Sequence, residues 1–154
     1  MIKVSFLALK VPPLLLFFIV GFLMKILAAF FPLYFFPNSL FLVVLFIAIG
    51  SFIGFLASYQ FNRQQTTIHP QKLSHVSVLV TQGIYRFSRN PMYLGMAVLL
   101  VAWAFYLQAV SSFLGVLLFI LYLTQFQIKP EERILYKKFG QLYRNYSRQT
   151  RRWL

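Results

Sequence analysis

The hydrophobic positions of this chain fall in long, nearly uncharged blocks. Val11 to Phe31 holds one charge, Lys25, and Leu40 to Tyr59 holds none. The stretch from Met92 to Ile128, the longest of the three, is uncharged throughout. A hydrocarbon core about 30 Å thick takes a helix of roughly 20 residues. One straight helix over the third block would be about 55 Å long, so it must fold back. The polar cluster Gln108, Ser111 and Ser112 is the natural turn, and it divides the block into a helical hairpin, 92–107 and 113–128. The pattern predicts an all-α integral membrane protein with four transmembrane helices, over 11–31, 40–59, 92–107 and 113–128. They form a single membrane domain spanning 1–154.

The segments between the blocks have their own character. Residues 62–91 form one long loop, of a length more often functional than incidental. It holds the only histidines, His69 and His75, and neither has a carboxylate partner at metal-ligand spacing, so no metal site is predicted. From Pro130 the tail turns amphipathic. Leu135, Phe139, Leu142 and Tyr146 share one helical face by spacing, which predicts a helix lying in the membrane interface, with Trp153 in the aromatic belt. In the second span Gly50, Gly54 and Ser58 form a small-residue stripe that lets another helix backbone approach closely. Packing within the chain is the main reading of that stripe. Dimerisation is the lesser one, and the oligomeric state stays undetermined.

Composition agrees with a membrane domain. Hydrophobic residues are 60% of the 154 and charged residues only 11%, against about 25% charged in a soluble domain. The charge is lopsided: 15 Lys and Arg face two acids, for a net charge of +13. Because the basic residues flank apolar blocks, the excess reads as topology and anionic lipid headgroups, not nucleic acid. With the N-terminus inside, segments 1–10, 62–91 and 129–154 carry two, four and eight Lys or Arg, and the two outer loops carry none. This is a positive-inside pattern with both termini cytoplasmic, and the compact size points to a bacterial inner membrane. Val11–Phe31 is too long for a cleaved leader, and Lys25 interrupts it. Lys25 reads as a side chain snorkelling near the outer end. The absence of Cys rules out disulfides and thiolate chemistry.

The two acids, Glu131 and Glu132, are adjacent, where the hairpin returns to the inner face. The third span starts on that same face at Asn90-Pro91, so the hairpin brings Arg86, Arg89, Asn90 and Tyr93 close to the glutamates. Each segment also reads as an ordinary helix start. Asn90 can cap with Pro91 in first position, and Pro130 can lead a helix whose first turn holds the acids. Yet no basic residue stands three or four places beyond either glutamate, and Lys129 is the only local partner. A cluster of both charge signs with aromatic rings suits a ligand that is itself zwitterionic and aromatic. There is no Gly-x-Gly-x-x-Gly and no Walker loop.

Three groups of residues together carry a resemblance. Gly83-Ile84-Tyr85-Arg86-Phe87-Ser88-Arg89-Asn90-Pro91-Met92-Tyr93-Leu94-Gly95, then Glu131-Glu132, then Phe139-Gly140 and Tyr143-x-x-Tyr146 closely resemble the isoprenylcysteine carboxyl methyltransferase family, itself similar to the phospholipid methyltransferases. Thr66-Thr67-Ile68-His69-Pro70 is similar to an upstream element of small members. The resemblance covers about residues 62–153. It implies methyl transfer from S-adenosylmethionine to a lipophilic acceptor at the cytoplasmic membrane face, in a pocket closed by the tail. By match, Arg89, Asn90, Glu131 and Glu132 carry the reaction's polar contacts. Tyr85, Arg86, Tyr93 and Leu94 complete the cofactor pocket, and Pro91 and Gly95 set its geometry. Asn90 stands where the family pattern usually has His. An amide can hydrogen-bond but carries no proton near neutral pH. Two other readings remain: an NADPH-dependent membrane lipid or sterol reductase, and a non-enzymatic membrane partner that keeps the fold.

Overall fold

The computed structural model describes residues 9–31, 40–63 and 78–154. His69, His75 and the Thr66–Pro70 segment lie outside these residues. The described elements are helical: α1 (Pro13–Phe30), α2 (Leu40–Arg63), α3 (Pro91–Leu107), α4 (Phe113–Tyr122), α5 (Lys129–Phe139) and α6 (Gln141–Gln149). Among them α1, α2 and the continuous helix Val110–Phe139 are long and apolar enough to cross a membrane, and α3 is a shorter apolar helix of 17 residues. Their outward faces carry large exposed side chains, Phe18, Phe22, Phe41, Phe52 and Leu118 among them. Such a surface is stable in lipid and not in water.

The hairpin turns where the polar cluster predicts. Gln108 adopts a left-handed conformation, φ 58°, and closes α3. A short 3-10 turn, Val110–Ser112, then starts the return. Two other expectations change. Pro130 does not begin a new helix: α4 runs into α5 through a π-helical turn, Leu123–Ile128, in which Lys129 N–H bonds to the Thr124 carbonyl. A proline inside a helix cannot donate to the carbonyl four residues back. Here that carbonyl, on Phe126, accepts from Leu9 N–H at 3.1 Å, so the acceptor is used by a different part of the chain.

The tail is likewise not one amphipathic helix. It breaks at Gly140, φ 51°, between α5 and α6. Leu142, expected on the apolar face, is exposed, and the buried residues of α6 are Tyr143 and Tyr146. The break rotates α6 relative to α5, so a spacing counted across Gly140 does not hold.

Packing positions the start of α3. A Cβ built on Gly95 would lie 2.9 Å from the Gly50 carbonyl oxygen and 3.1 Å from Gly54 N. The small-residue stripe of α2 therefore serves contact within the chain, and α3 lies directly against it. On the other side, α1 meets α4 where Met24 packs on Gly115. Met24, Leu100, Phe119, Leu123 and Ile128 are fully or almost fully buried and form the centre of the core.

Candidate functional site

Because α3 starts beside the helix that carries α5, Tyr93 faces Glu131. The Tyr93 hydroxyl donates to Glu131 Oε1 at 2.7 Å, and Gln127 Nε2 donates to the same oxygen at 2.6 Å. Gln127 stands one helical turn before Glu131 and on its face. Glu131 is 9% exposed and lies just past the end of the charge-free block. Burial raises its pKa to about 7, the two hydrogen bonds oppose the rise, and the Glu132 charge adds to it.

Glu132 takes the opposite role, as the centre of an ion-pair network. Arg152 grips it with both ends of the guanidinium, Nε to Oε1 at 2.9 Å and Nη2 to Oε2 at 2.8 Å. Arg89 Nη1 stands 3.2 Å from Oε1 and donates to the Tyr143 hydroxyl at 3.4 Å. The fork geometry matches a carboxylate, which strengthens and orients the pair. The Glu132 bond holds the Arg152 pKa above its ordinary value. Tyr143 is pushed up to about 12, first by burial and then by Glu132, with Arg89 opposing. Arg89 Nε is buried with no hydrogen-bond partner among the described residues, an unmet donor of the kind that native structures seldom leave. An open groove of about 500 Å³ adjoins the network, with Arg89, Glu132, Arg133, Tyr136 and Tyr143 in its walls.

The last residues of the chain form a strap across this site. Asn90 Nδ2 donates to the Arg152 carbonyl at 2.9 Å, Arg89 N–H to the Arg151 carbonyl at 3.0 Å, and the Trp153 indole to Thr124 Oγ1 at 3.0 Å. Tyr146 OH donates to the Tyr85 carbonyl at 2.7 Å, which fastens α6 to the 3-10 turn Gly83–Arg86. Asn90 does occupy the cap position of α3, but its side chain makes no capping bond. The Asn90 backbone N–H is bonded to Ser88 Oγ at 3.1 Å, and the amide turns to the strap.

The structure thus gathers Arg89, Asn90, Tyr93, Glu131 and Glu132, as the hairpin geometry requires. It does not gather them all in the same way. Arg86 is exposed, and its bond within the strap is made by its carbonyl, from Thr150 Oγ1 at 3.4 Å. Tyr85 is buried with Phe61 edge-on at 5.4 Å, which makes it a wall behind the strap. Burial pushes its hydroxyl pKa up. Pro91 and Gly95 are structural, a helix start and a close crossing, and the Leu94 N–H makes the first helical bond, to the Asn90 carbonyl at 3.0 Å. Lys129 bonds to Gln125, not to a glutamate. Gln127 and Arg152 were missed. Gln127 was readable as one of the few polar residues in an apolar block, one turn from Glu131. Arg152 was not, since its approach depends on the path of the whole tail.

A bundle of apolar helices with a buried carboxylate and an ion-pair network at one end is the architecture of an integral membrane protein. Comparison with known proteins then gives the family. The profile of the phospholipid methyltransferase family matches residues 38–142, and the chain belongs to that family. It is 32% identical over 128 residues to the protein-S-isoprenylcysteine O-methyltransferase of Schizosaccharomyces pombe, an alignment covering 75% of this chain and 52% of that one. The chain therefore spans about half the length of the yeast enzyme. It is also 48% identical over 63 residues to an uncharacterized protein of Haemophilus influenzae, covering 41% of this chain and all of that one.

Proposed function

We propose that the protein transfers a methyl group from S-adenosylmethionine to a lipophilic acceptor at the basic, cytoplasmic membrane face. The observation that carries this reading is the Arg89–Glu132 pair at the groove, with its buried unmet donor at Arg89 Nε. The donor set fits the cofactor. Arg89 can pair with the amino-acid carboxylate, Glu132 can accept from an ammonium or ribose hydroxyls, and Tyr143 offers an aromatic face. S-adenosylmethionine supplies an electrophilic methyl on a sulfonium, so no enzyme nucleophile is required. What the chain's own residues supply is alignment and exclusion of water. Glu131, fixed by Tyr93 and Gln127, braces the wall behind the groove. Asn90 positions the strap through its bond to the Arg152 carbonyl, a task for a neutral donor, which an amide performs without a titrating proton. The acceptor approaches through the bilayer along the apolar flanks of α3 and α4.

Equilibrium binding to detergent-purified protein tests the reading. S-adenosylmethionine and NADPH are titrated in parallel, with a Glu131→Gln/Glu132→Gln double variant as control. Saturable binding of S-adenosylmethionine that the double variant loses is the expected result. Binding of NADPH in its place would transfer the site to reductase chemistry. Binding of neither by folded protein would leave a non-enzymatic membrane partner.

A further inference from the structure

A second cavity lies toward the opposite end of the helices. α1, α2 and α3 border about 620 Å³ lined by Phe17, Phe22, Ile47, Leu99, Trp103 and Tyr106, among other apolar residues. One wall residue is charged: Lys25. The Trp103 indole donates to the Gly21 carbonyl at 3.0 Å and its ring stacks on Tyr106 at 5.1 Å, so this wall is held in place. Phe22, Ile47 and Tyr106 are exposed. The cavity therefore opens sideways, onto the surface that lipid covers.

An ammonium group in apolar surroundings is costly unless it finds a counter-charge. The acidic side chains of this chain stand far from Lys25. Its only acids are Glu131 and Glu132. Met24, next to Lys25, packs on Gly115, and the helix runs without interruption from Gly115 to Glu131. At a rise of about 1.5 Å per residue the two positions stand about 24 Å apart, well beyond the screening length of about 8 Å at physiological salt. A second copy inserted the same way up would bring its acids to the same far end. Among the described residues Lys25 thus has no acidic partner, and an anion from outside the protein would meet it beside a groove shaped for hydrocarbon.

We propose that this cavity binds an anionic phospholipid of the leaflet opposite the charged cluster, with one acyl chain along Phe22, Trp103 and Tyr106 and the headgroup phosphate on Lys25. The volume falls within the roughly 300–1,000 Å³ of sites that enclose small ligands.

The two tryptophans make a local test possible. Trp153→Phe leaves Trp103, in the cavity wall, as the sole indole. That variant is placed in phosphatidylcholine bilayers, and dibrominated phosphatidylglycerol or dibrominated phosphatidylcholine is added as a fluorescence quencher. Phosphatidylglycerol should quench Trp103 at a mole fraction about fivefold lower than phosphatidylcholine does. Lys25→Gln should abolish that preference and Lys25→Arg keep it; both alter an exposed side chain. Equal quenching by the two lipids, or a preference that survives Lys25→Gln, overturns the proposal. A preference for dibrominated stearate over phosphatidylglycerol overturns the phospholipid assignment. Should Trp153→Phe not fold, native mass spectrometry of the otherwise unaltered chain decides the question. Lys25→Gln must then lose one retained phosphatidylglycerol per molecule, and unchanged retention sinks the site.

Discussion

Glu131 shows what burial does to a single carboxylate. Its pKa stands at about 7 in the folded protein, against an ordinary 4.5. Between those values the folded state holds a proton that the unfolded chain has released. The stability this adds is full below the unfolded pKa and is lost as pH rises through about 7. The thermal midpoint of the detergent-solubilised protein should fall from about pH 5 to about pH 8 by more than in Glu131→Gln, whose amide does not titrate. The difference between the two profiles isolates Glu131 from every other titrating group, since those are common to both proteins. Identical profiles would mean that the carboxylate is ionised throughout this range.

Pairs of helices here are held by backbone approach as much as by side chains. At the crossing of α2 and α3 the neighbours of a Cβ on Gly95 are backbone atoms of Gly50 and Gly54, and backbone cannot yield by changing rotamer. Gly95→Val should cost about 1–3 kcal/mol, the usual range for overpacking, with a corresponding drop in thermal midpoint. Gly54 is the contrast, because a Cβ there meets nothing within 4 Å. Gly54→Ala should be neutral or stabilising by up to about 1 kcal/mol, since alanine is the better helix former. If Gly95→Val is as stable as the parent, the crossing is looser than these distances describe. The same economy of backbone contacts appears at Pro130, where the carbonyl that the proline cannot use is taken by Leu9. That one bond ties the start of α1 to the end of the hairpin.

Across the molecule, charge is divided between two ends. One carries both acids, the ion-pair network and the strap, and the other carries Lys25 among apolar walls. The strap joins the site to the end of the chain, so its loosening should be felt first by a bound ligand. The Arg152 side chain is 35% exposed and that of Glu132 17%, so solvent screens this two-pronged pair only in part. Arg152→Ala should therefore lower the thermal midpoint and, with S-adenosylmethionine in the groove as proposed, speed its release roughly 3–10-fold, as affinity changes at one site fall mostly on the off-rate. A displacement chase measures this. An unchanged off-rate would show that the strap does not cover the ligand.

Much of this architecture was legible before folding was considered. Uncharged blocks of about membrane length make helices in lipid because every backbone group must be bonded within the segment, and the polar residues at 108–112 mark the fold-back. The hairpin alone then brings Arg89, Asn90 and Tyr93 to Glu131 and Glu132. Other features waited on the folded chain. Asn90 bonds a carbonyl 62 residues away, and Glu132 finds Arg152 20 residues on. Pro130 sits inside a continuous helix, and the carbonyl it leaves free is taken by Leu9. Local pattern records what each segment requires of its surroundings: an apolar environment, a turn, a counter-charge. Which distant residue meets the requirement depends on chain path, and a break such as Gly140 redirects that path without leaving any periodicity to read.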